Sequence, residues 1–249
     1  MKVLHGENQP ESQVWAIIPA RGGSKSIPLK NLVQLGGRPL INYVIGAARA
    51  SKRVNRIICS TENDAISKYC KSSQIEVHRR SPDLAKDDTP ITPVLIDLLR
   101  HYQDAEGVVP LAIVLLQPTS PFVTSEQIDL CVDKLTENSI INSVQTVTPV
   151  SHNQHAYNQR MVVDERVKFR FEKERSLMFN KQKKPAYYSF GNLVVTRALA
   201  ISADVGVFAE PSLPIEIPRQ YSFDLDTQID VAWGNYCLSN ALVDIEDCR

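Results

Sequence analysis

The chain has 249 residues with 28 basic and 28 acidic side chains, so its formal charge at pH 7 is zero. Its length suits one large domain or two small ones, and 43% apolar with 22% charged residues is typical of a folded globular protein. The balanced charge excludes the strongly basic surface of a general nucleic-acid-binding protein. It leaves room for a local cluster of cations that binds phosphate.

The cysteines and the apolar runs bear on the cellular compartment. The five cysteines are odd in number, widely spaced and without a C-x-x-C pair, which favours neither a disulfide framework nor a zinc site. The first residues lack the apolar core of a secretory signal, and no segment approaches the ~20 apolar residues of a membrane span. We therefore expect a cytoplasmic protein that does not enter a membrane.

The first 148 residues alternate between short apolar runs and longer amphipathic patterns. Pro39 suits the first turn of one helix, and Thr124 suits the N-cap of another. Strands are predicted at 14–18, 56–60, 76–78, 111–116 and 143–148, and helices at 40–50, 63–72, 90–102 and 125–137.

The pattern changes after residue 149. Residues 160–163 and 167–171 flank a polar turn and predict a hairpin, so we interpret 149–190 as an insertion outside the main sheet. The strand pattern resumes at 193–196, and 227–243 is predicted to be a closing helix. We expect a single domain over residues 1–249 that carries this insertion.

The alternation of strands and helices predicts an α/β fold, a mainly parallel sheet flanked by helices and Rossmann-like in outline. In such sheets, ligands bind beyond the carboxyl ends of the strands. Polar clusters at 20–31, 61–64 and 117–120 directly follow predicted strands. Their positions predict a binding site at this edge.

The segment 19–31 is a glycine-rich loop after the first strand. Gly22 and Gly23 permit a tight turn and a close approach of backbone N–H groups to an anion. The spacing is not that of a Walker loop, and a solvated surface loop is the alternative. Its position after a buried strand favours phosphate binding. The side chains that would offset a triphosphate are Arg21, Ser24, Lys25 and Lys30.

These motifs, taken together and in order, carry a family resemblance. They are R-G-G-S-K-S-I-P-L-K-N at 21–31, L-G-G-R-P-L-I at 35–41, C-S-T-E-N-D-A-I at 59–66, H-R-R-S-P-D-L-A-K-D at 78–87, L-Q-P-T-S-P at 116–121 and F-D-L-D-T at 223–227. The chain resembles the acylneuraminate cytidylyltransferase family, the CMP-sialic acid synthetases and their relatives, over residues 14–148 and 221–240.

The resemblance implies a nucleotide-diphospho-sugar-transferase-like fold with a small dimerisation insert, and hence a homodimer. It implies that the protein joins CTP and a 2-keto sugar acid, a sialic acid-like nonulosonate, into a CMP-sugar. The reaction releases pyrophosphate by attack of a sugar hydroxyl on the α-phosphate, assisted by Mg²⁺. The partners are then small molecules, with neither nucleic acid nor membrane among them.

The resemblance also implies a role for each matching residue. Arg21, Lys30 and Asp224 would act in catalysis, and the Mg²⁺ ligands would be Asp224 and Asp226. Residues expected to bind the nucleotide are Arg21, Gly22, Ser24, Lys25, Lys30 and Asn31, with Arg79 or Arg80 at the cytosine, and those expected to face the sugar are Gln117, Thr119 and Ser120.

Two of these assignments have structural alternatives. Asp224 and Asp226 are two residues apart, so in extended chain their carboxylates share one face and Leu225 takes the other. The alternative is that Asp226 caps the following helix and Asp224 lies on the surface. Gln117 offers both a donor and an acceptor to a polyol, whereas the segment could instead be a stiff turn before a helix.

Two departures from the family pattern leave the sugar end open. Ser26 stands where a glycine is usual, and Phe190 precedes Gly191 and Asn192 where an asparagine–glycine pair is usual. The sequence therefore leaves the acceptor open among sialic, legionaminic, pseudaminic and 3-deoxy-octulosonic acids. Further alternatives are a nucleotidyltransferase for a phosphonate or a sugar phosphate, and a non-catalytic nucleotide-binding relative.

Overall fold

The computed structural model describes residues 12–178, 180, 182 and 184–245. The strands are β1 (Val14–Pro19), β2 (Gln34–Leu35), β3 (Arg38–Pro39), β4 (Arg56–Thr61), β5 (Glu76–Arg79), β6 (Ala112–Leu116), β7 (Ser143–Pro149), β8 (Arg160–Val163), β9 (Arg166–Phe169), β10 (Tyr188–Arg197) and β11 (Ser212–Glu216). The α-helices are α1 (Ile41–Ala50), α2 (Asp64–Ser72), α3 (Ile91–Glu106), α4 (Ser125–Thr136), α5 (Glu172–Leu177) and α6 (Gln228–Ser239).

The main sheet of the described chain has the strand order β11-β7-β10-β6-β1-β4-β5. Strand β10 is antiparallel to both of its neighbours, β6 and β7, while the other pairs are parallel. All strands of this sheet except β10 therefore point the same way. The mainly parallel α/β sheet predicted from the sequence is confirmed.

The sheet is buried on both faces because its central strands are almost wholly apolar. On one face, Ala16 and Ile18 of β1 pack in a cluster with residues of α1, α2 and α4. On the other face, Trp15 and Ile17 pack with residues of α3. An unbroken apolar run, rather than an alternating one, is typical of a strand covered by helices on both sides.

Helix termini follow the capping residues. The side chain of Asn63 accepts hydrogen bonds from the backbone N–H groups of Ala65 and Ile66 at the start of α2. Thr124 and Gln127 form a capping box at the start of α4, which confirms the predicted N-cap. Helix α3 runs past its predicted end at residue 102 to Glu106, and Gly107 ends it with a φ of 69°.

Several boundaries differ from the sequence-based ones. The closing helix α6 ends at Ser239 rather than residue 243, and the second hairpin strand ends at Phe169 rather than residue 171. The sequence analysis did not predict β2, β3, β11 and α5. Strand β11 escaped notice because it is short, contains a proline and is only partly buried, so it lacks a clear periodic pattern.

The segment between β7 and β10 lies outside the main sheet. Among the strands of the described residues, β8 and β9 pair only with each other, and α5 follows them. Because β10 already begins at Tyr188, the sheet resumes before residue 190, the predicted end of the insertion. We call residues 150–187 the insert. The ring of His155 stacks on that of Tyr187 at a centroid distance of 4.6 Å.

The Gly191–Asn192 departure has a structural explanation. A Cβ atom at Gly191 would lie 2.5 Å from Thr146 Oγ1, so glycine lets β10 pass close over β7 at an irregularity in their pairing. Asn192 is buried, and its Nδ2 donates to Gln127 Oε1 at 2.7 Å and to the carbonyl of Tyr221 at 3.1 Å. Asn192 thus connects the sheet, α4 and the turn that precedes Asp224.

No helix among the residues that the structure describes is both long and apolar enough to cross a membrane.

Candidate active site

A cleft of about 650 Å³ lies at the carboxyl edge of the sheet. Strands β1, β5 and β6 all end there, and the segments that follow each of them form its walls. The residues that line it include Arg21, Ser24, Lys25, Lys30, Asn31, Arg80, Lys86, Asp87, Gln117, Thr119, Asp224 and Asp226. Most of the predicted site residues are thereby brought together, and Gly22, Arg79 and Ser120 do not line the cleft.

Asp87 joins two cations of the glycine-rich loop to the opposite wall. Its Oδ2 lies 2.8 Å from Lys25 Nζ, and its Oδ1 lies 3.1 Å from Arg21 Nη1. Arg21 Nη1 also donates to the carbonyl of Lys86 at 3.0 Å. The hydrogen bond from Lys25, helped by the charge of Arg21, holds the pKa of Asp87 below its usual range. One carboxylate is thus shared by two cationic side chains that are suited to phosphate.

Gly22 holds the glycine-rich loop against the residues that precede α2. Its N–H donates to Glu62 Oε1 at 2.6 Å, and a Cβ atom there would lie 2.3 Å from Asn63 Nδ2. The glycine is therefore required by the close approach of the loop to the start of α2. Asn31 is buried and donates from Nδ2 to the carbonyl of Arg21 at 2.8 Å, which fastens the loop to itself.

The adjacent arginines after β5 point in different directions. Arg79 is exposed and pairs with Asp64 at 2.8 Å, outside the cleft lining. Arg80 is buried, lines the cleft, and donates from Nε and Nη2 to Glu62 Oε2 at 3.1 and 3.0 Å. Of the two arginines, Arg80 lines the cleft and Arg79 does not.

The turn after β6 divides between cleft and core. Gln117 is exposed and lines the cleft together with Thr119. Ser120 is buried, and its N–H donates to the carbonyl of Gln117 at 2.9 Å, which closes the turn. The carbonyl of Thr119 accepts from the N–H of Leu225 at 2.8 Å and so holds the segment that carries the two aspartates.

Asp224 and Asp226 both reach the cleft from an extended segment that belongs to no strand, and Leu225 between them is fully buried. This is the alternation expected from their spacing. The alternative that Asp226 caps the next helix is wrong, because Thr227 is the N-cap of α6 and forms a capping box with Asp230.

Lys30 and Asp226 form an ion pair across a long sequence separation. Lys30 Nζ lies 2.8 Å from Asp226 Oδ1, and the lysine side chain is largely covered whereas the aspartate is exposed. The pair places a cation directly beside the two carboxylates. An anionic ligand that reaches this end of the cleft would meet both signs of charge.

The surroundings of Asp224 in the cleft raise the pKa of its carboxyl. Its side chain is open to the cleft, yet the protein groups around it reduce its solvation, and this loss raises its pKa. The nearby charge of Asp226 also raises the pKa, while a hydrogen bond from Thr119 and the charge of Lys30 oppose the change. A cation bound beside Asp224 would relieve the unfavourable ionisation.

The donor set at Asp224 and Asp226 fits Mg²⁺ better than zinc. Within the described ranges, no group of three His, Cys, Asp or Glu residues is arranged to hold a metal. Mg²⁺ ordinarily takes one or two carboxylates, and its remaining positions go to waters and substrate phosphates. Asp224 and Asp226 supply two neighbouring carboxylates in a cleft that is also lined by cations, and this donor set matches that preference.

The sequence analysis missed two acids of this site, Glu62 and Asp87. Both stand inside the quoted motifs, at 59–66 and 78–87, but the search was for cations that hold phosphate. Asp87 pairs with two cations more than 60 residues away, and Glu62 bonds to Gly22 and Arg80, which are 40 and 18 residues away. Partners at such separations leave no local pattern. The signal that could have revealed these two acids was their position inside motifs that are themselves part of the predicted binding site.

Comparisons with known proteins identify the family of this chain. Residues 15–234 match the family described as cytidylyltransferase, and the chain belongs to that family. It is an enzyme of the nucleotidyltransferase class, as the names of its relatives also state. The nucleotide-diphospho-sugar-transferase-like fold expected from the motifs is confirmed by the solved structures it resembles.

Three similar proteins illustrate the range of the family. CMP-N,N'-diacetyllegionaminic acid synthase of Legionella pneumophila is 32% identical over 88% of this chain and 94% of its own length. N-acylneuraminate cytidylyltransferase of Oncorhynchus mykiss is 40% identical over 43% of this chain, but this covers only 24% of that protein. A CMP:2-keto-3-deoxy-manno-octonic acid synthetase structure superposes with a TM-score of 0.69 at 13% identity, over 92% of this chain and 100% of its own.

Replacing Asp87 with asparagine should free Arg21 and Lys25 from their shared carboxylate. Because these ion pairs are exposed, we expect D87N to bind inorganic tripolyphosphate only about twofold to fivefold more tightly. Isothermal titration calorimetry at low ionic strength would measure the change.

Asp88→Asn is the matched control, because it makes the same change in net charge one residue outside the cleft lining. If D87N and D88N gain affinity equally, the change in net charge alone explains the effect. If D87N gains no affinity, Asp87 does not compete with the ligand for Arg21 and Lys25.

Proposed function

We propose that this cytidylyltransferase transfers the CMP unit of CTP to a hydroxyl of a 2-keto sugar acid and releases pyrophosphate. The acceptor class we favour is a nonulosonate of the sialic and legionaminic type. The observation that carries the proposal is that one cleft brings together the loop cations, Asp224 and Asp226, and a buried arginine. The similarity to the legionaminic acid enzyme over nearly its whole length supports the choice of acceptor.

The glycine-rich loop would bind the triphosphate. Arg21, Lys25 and Lys30 supply positive charge, and Ser24 adds a hydroxyl donor from the same wall. A triphosphate that enters the cleft takes the place of Asp87 as the partner of Arg21 and Lys25. In phosphoryl and nucleotidyl transfer, little covalent work falls to the protein, so orientation and charge neutralisation provide most of the rate increase.

Arg80 would meet the nucleotide base. Its guanidinium is held on one side by Glu62 and faces the cleft on the other. Apolar side chains beside it, Leu84, Ile91 and Val94, line the same wall and offer a surface for a planar ring. A buried donor flanked by apolar groups is the usual composition of a small-molecule site.

Asp224 and Asp226 would hold a Mg²⁺ ion at the phosphate end. When bound, the ion supplies positive charge that neutralises and orients phosphate oxygens. Lys30, fixed by Asp226, adds a protein cation at the same place, and the hydrogen bond of Thr119 keeps Asp224 turned towards the cleft.

Gln117 and Thr119 would contact the acceptor sugar. Both stand at the end of β6, beside the aspartates, and the exposed Gln117 amide offers a donor and an acceptor. Ser120 lies behind this surface and shapes the turn instead.

A 3-deoxy-octulosonate acceptor is the second candidate. We consider it because the fold superposes on that of a CMP:2-keto-3-deoxy-manno-octonic acid synthetase. A non-catalytic nucleotide-binding protein is less well supported, because both acids of the pair face the cleft.

The deciding experiment measures pyrophosphate release with CTP, Mg²⁺ and a panel of N-acetylneuraminic, legionaminic, pseudaminic and 3-deoxy-octulosonic acids. We expect release with a nine-carbon acid and not with the eight-carbon one. Release only with 3-deoxy-octulosonic acid would establish the second candidate. CTP binding without release for any panel member would refute the sugar-acid proposal.

The carboxylate pair gives a second prediction. D224N and D226N should each lower kcat by about 100-fold or more, since the charge stabilisation that a metal provides is worth several kcal/mol. Both should also need more Mg²⁺ for half-maximal rate, with melting temperatures near that of the parent.

Asp104→Asn is the control, because Asp104 is exposed on α3 and lies about 15 Å along the helix from Val94 of the cleft wall. Unchanged rates in D224N and D226N would remove the metal assignment.

We also propose that the insert forms a homodimer contact. Val162 and Val167 are paired in the hairpin and are 74% and 65% exposed, an apolar surface that a second copy would cover. Light scattering should give twice the 27.9 kDa of the chain.

The double variant V162K/V167K should convert the dimer to monomer. Ile229→Lys, at an equally exposed apolar residue of α6, should not. A monomeric parent protein at working concentration would contradict the proposal.

A further inference from the structure

We propose that Glu62 is a positioning residue. It fixes the orientation of the Arg80 side chain and the position of the glycine-rich loop, and thereby determines the preference for CTP over UTP. Glu62 does not line the cleft itself. It acts through two neighbouring groups, the backbone N–H of Gly22 in the loop proposed to bind phosphate and the side chain of Arg80 proposed to meet the base. The inference rests on the assignment of this cleft to the nucleotide.

The two carboxylate oxygens of Glu62 serve different partners. Oε1 accepts from the backbone N–H of Gly22, in the loop after β1, at 2.6 Å. Oε2 accepts from Nε and Nη2 of Arg80, directly after β5. Glu62 itself follows β4, which lies between β1 and β5 in the sheet. One side chain therefore joins the segments on both sides of its own strand.

The burial of the Glu62–Arg80 ion pair indicates that it orients the Arg80 side chain more than it stabilises the fold. The side chains of Arg80 and Glu62 are 4% and 17% exposed. Removing two charges from water costs about as much as their attraction returns, so buried pairs contribute little net stability. Two hydrogen bonds to one oxygen do fix the plane of the guanidinium. The neighbouring Arg79–Asp64 pair, exposed on both sides, imposes no such constraint.

The fixed orientation has a consequence for base recognition. Nε and Nη2 of Arg80 donate to Glu62, so Nη1 is the nitrogen that we assign to a ligand in the cleft that Arg80 lines. Cytosine presents two acceptors, O2 and N3, whereas uracil has an N–H group at N3. A donor held in one place distinguishes these two edges, and a donor free to rotate does so less well.

The position of the glycine-rich loop is constrained by Asn63, the residue that follows Glu62. Gly22 lies against the side chain of Asn63, and Asn63 is itself fixed as the N-cap of α2. Displacement of Glu62 would therefore release the Gly22 amide without moving α2. Phosphate contacts and base contacts would weaken together, although the residues that make them are unchanged.

Glu62→Gln tests this link with almost no change in size. The glutamine keeps one acceptor oxygen, but its NH₂ group must face either the Gly22 amide or the Arg80 guanidinium, both of which are donors. We expect the KM for CTP to rise about tenfold and the preference for CTP over UTP to fall by a similar factor, as for one lost charge-assisted hydrogen bond. The kcat and the KM for the sugar acid should stay within about threefold, because binding rather than chemistry is affected.

Two further variants keep the test decisive. Glu62→Asp retains the charge but is too short to reach both partners, so it should show a smaller defect of the same kind and serves if E62Q folds poorly. Adding E62Q to Arg80→Met should cost no further selectivity, because both changes disable the same contact.

Glu76→Gln is the matched control. Glu76 pairs with Arg56 at 2.7 Å, at the opposite ends of the same two strands, β4 and β5. Its loss should lower the melting temperature and leave the KM for CTP and the CTP preference unchanged.

The outcomes separate the two proposals. CTP binding, measured by calorimetry without acceptor, reports on Glu62 even if no sugar acid is turned over. Weaker CTP binding and lower CTP preference in E62Q at a preserved melting temperature support the positioning role. Unchanged preference overturns it, as does a rise in both KM values that parallels the loss of stability.

Discussion

The site depends on the parallel direction of the strands. Because β1, β4, β5 and β6 run the same way, the loops that follow them open at one edge, and residues far apart in sequence meet there. Helices cover both faces of the sheet and leave that edge accessible. The chemistry is therefore carried by loops, while the apolar strands supply a rigid base that sets the distances between them.

The zero net charge takes on a specific meaning within the cleft. Lys30 is matched by Asp226, Arg80 by Glu62, and Arg21 and Lys25 together by Asp87. These partners are brought together by the fold and not by the local sequence. An incoming polyanion thus exchanges these carboxylates for its own oxygens as the partners of cations that are already engaged. Such exchange favours a ligand of defined shape over any polyanion.

The sheet and most of its helices were predictable because apolar runs and capping residues are local signals. The Thr124 cap and the alternation about Leu225 both follow from neighbouring residues alone. The roles of Arg79 and Arg80 were not separable, since adjacent side chains differ only in what the fold packs against them. Glu62, Asp87 and strand β11 were missed because each depends on a partner distant in sequence.

The antiparallel pairing of β10 with β7 determines how the insert is attached to the main sheet. Pro149, the last residue of β7, and Tyr188, the first of β10, are directly opposed partners, and the N–H of Val150 donates to the carbonyl of Tyr187 at 2.8 Å. The insert thus leaves and rejoins the sheet at a single point, as the loop of a long hairpin does. Because its two ends are paired at one place, a change in the length of the insert would leave the order of the strands in the main sheet unaltered.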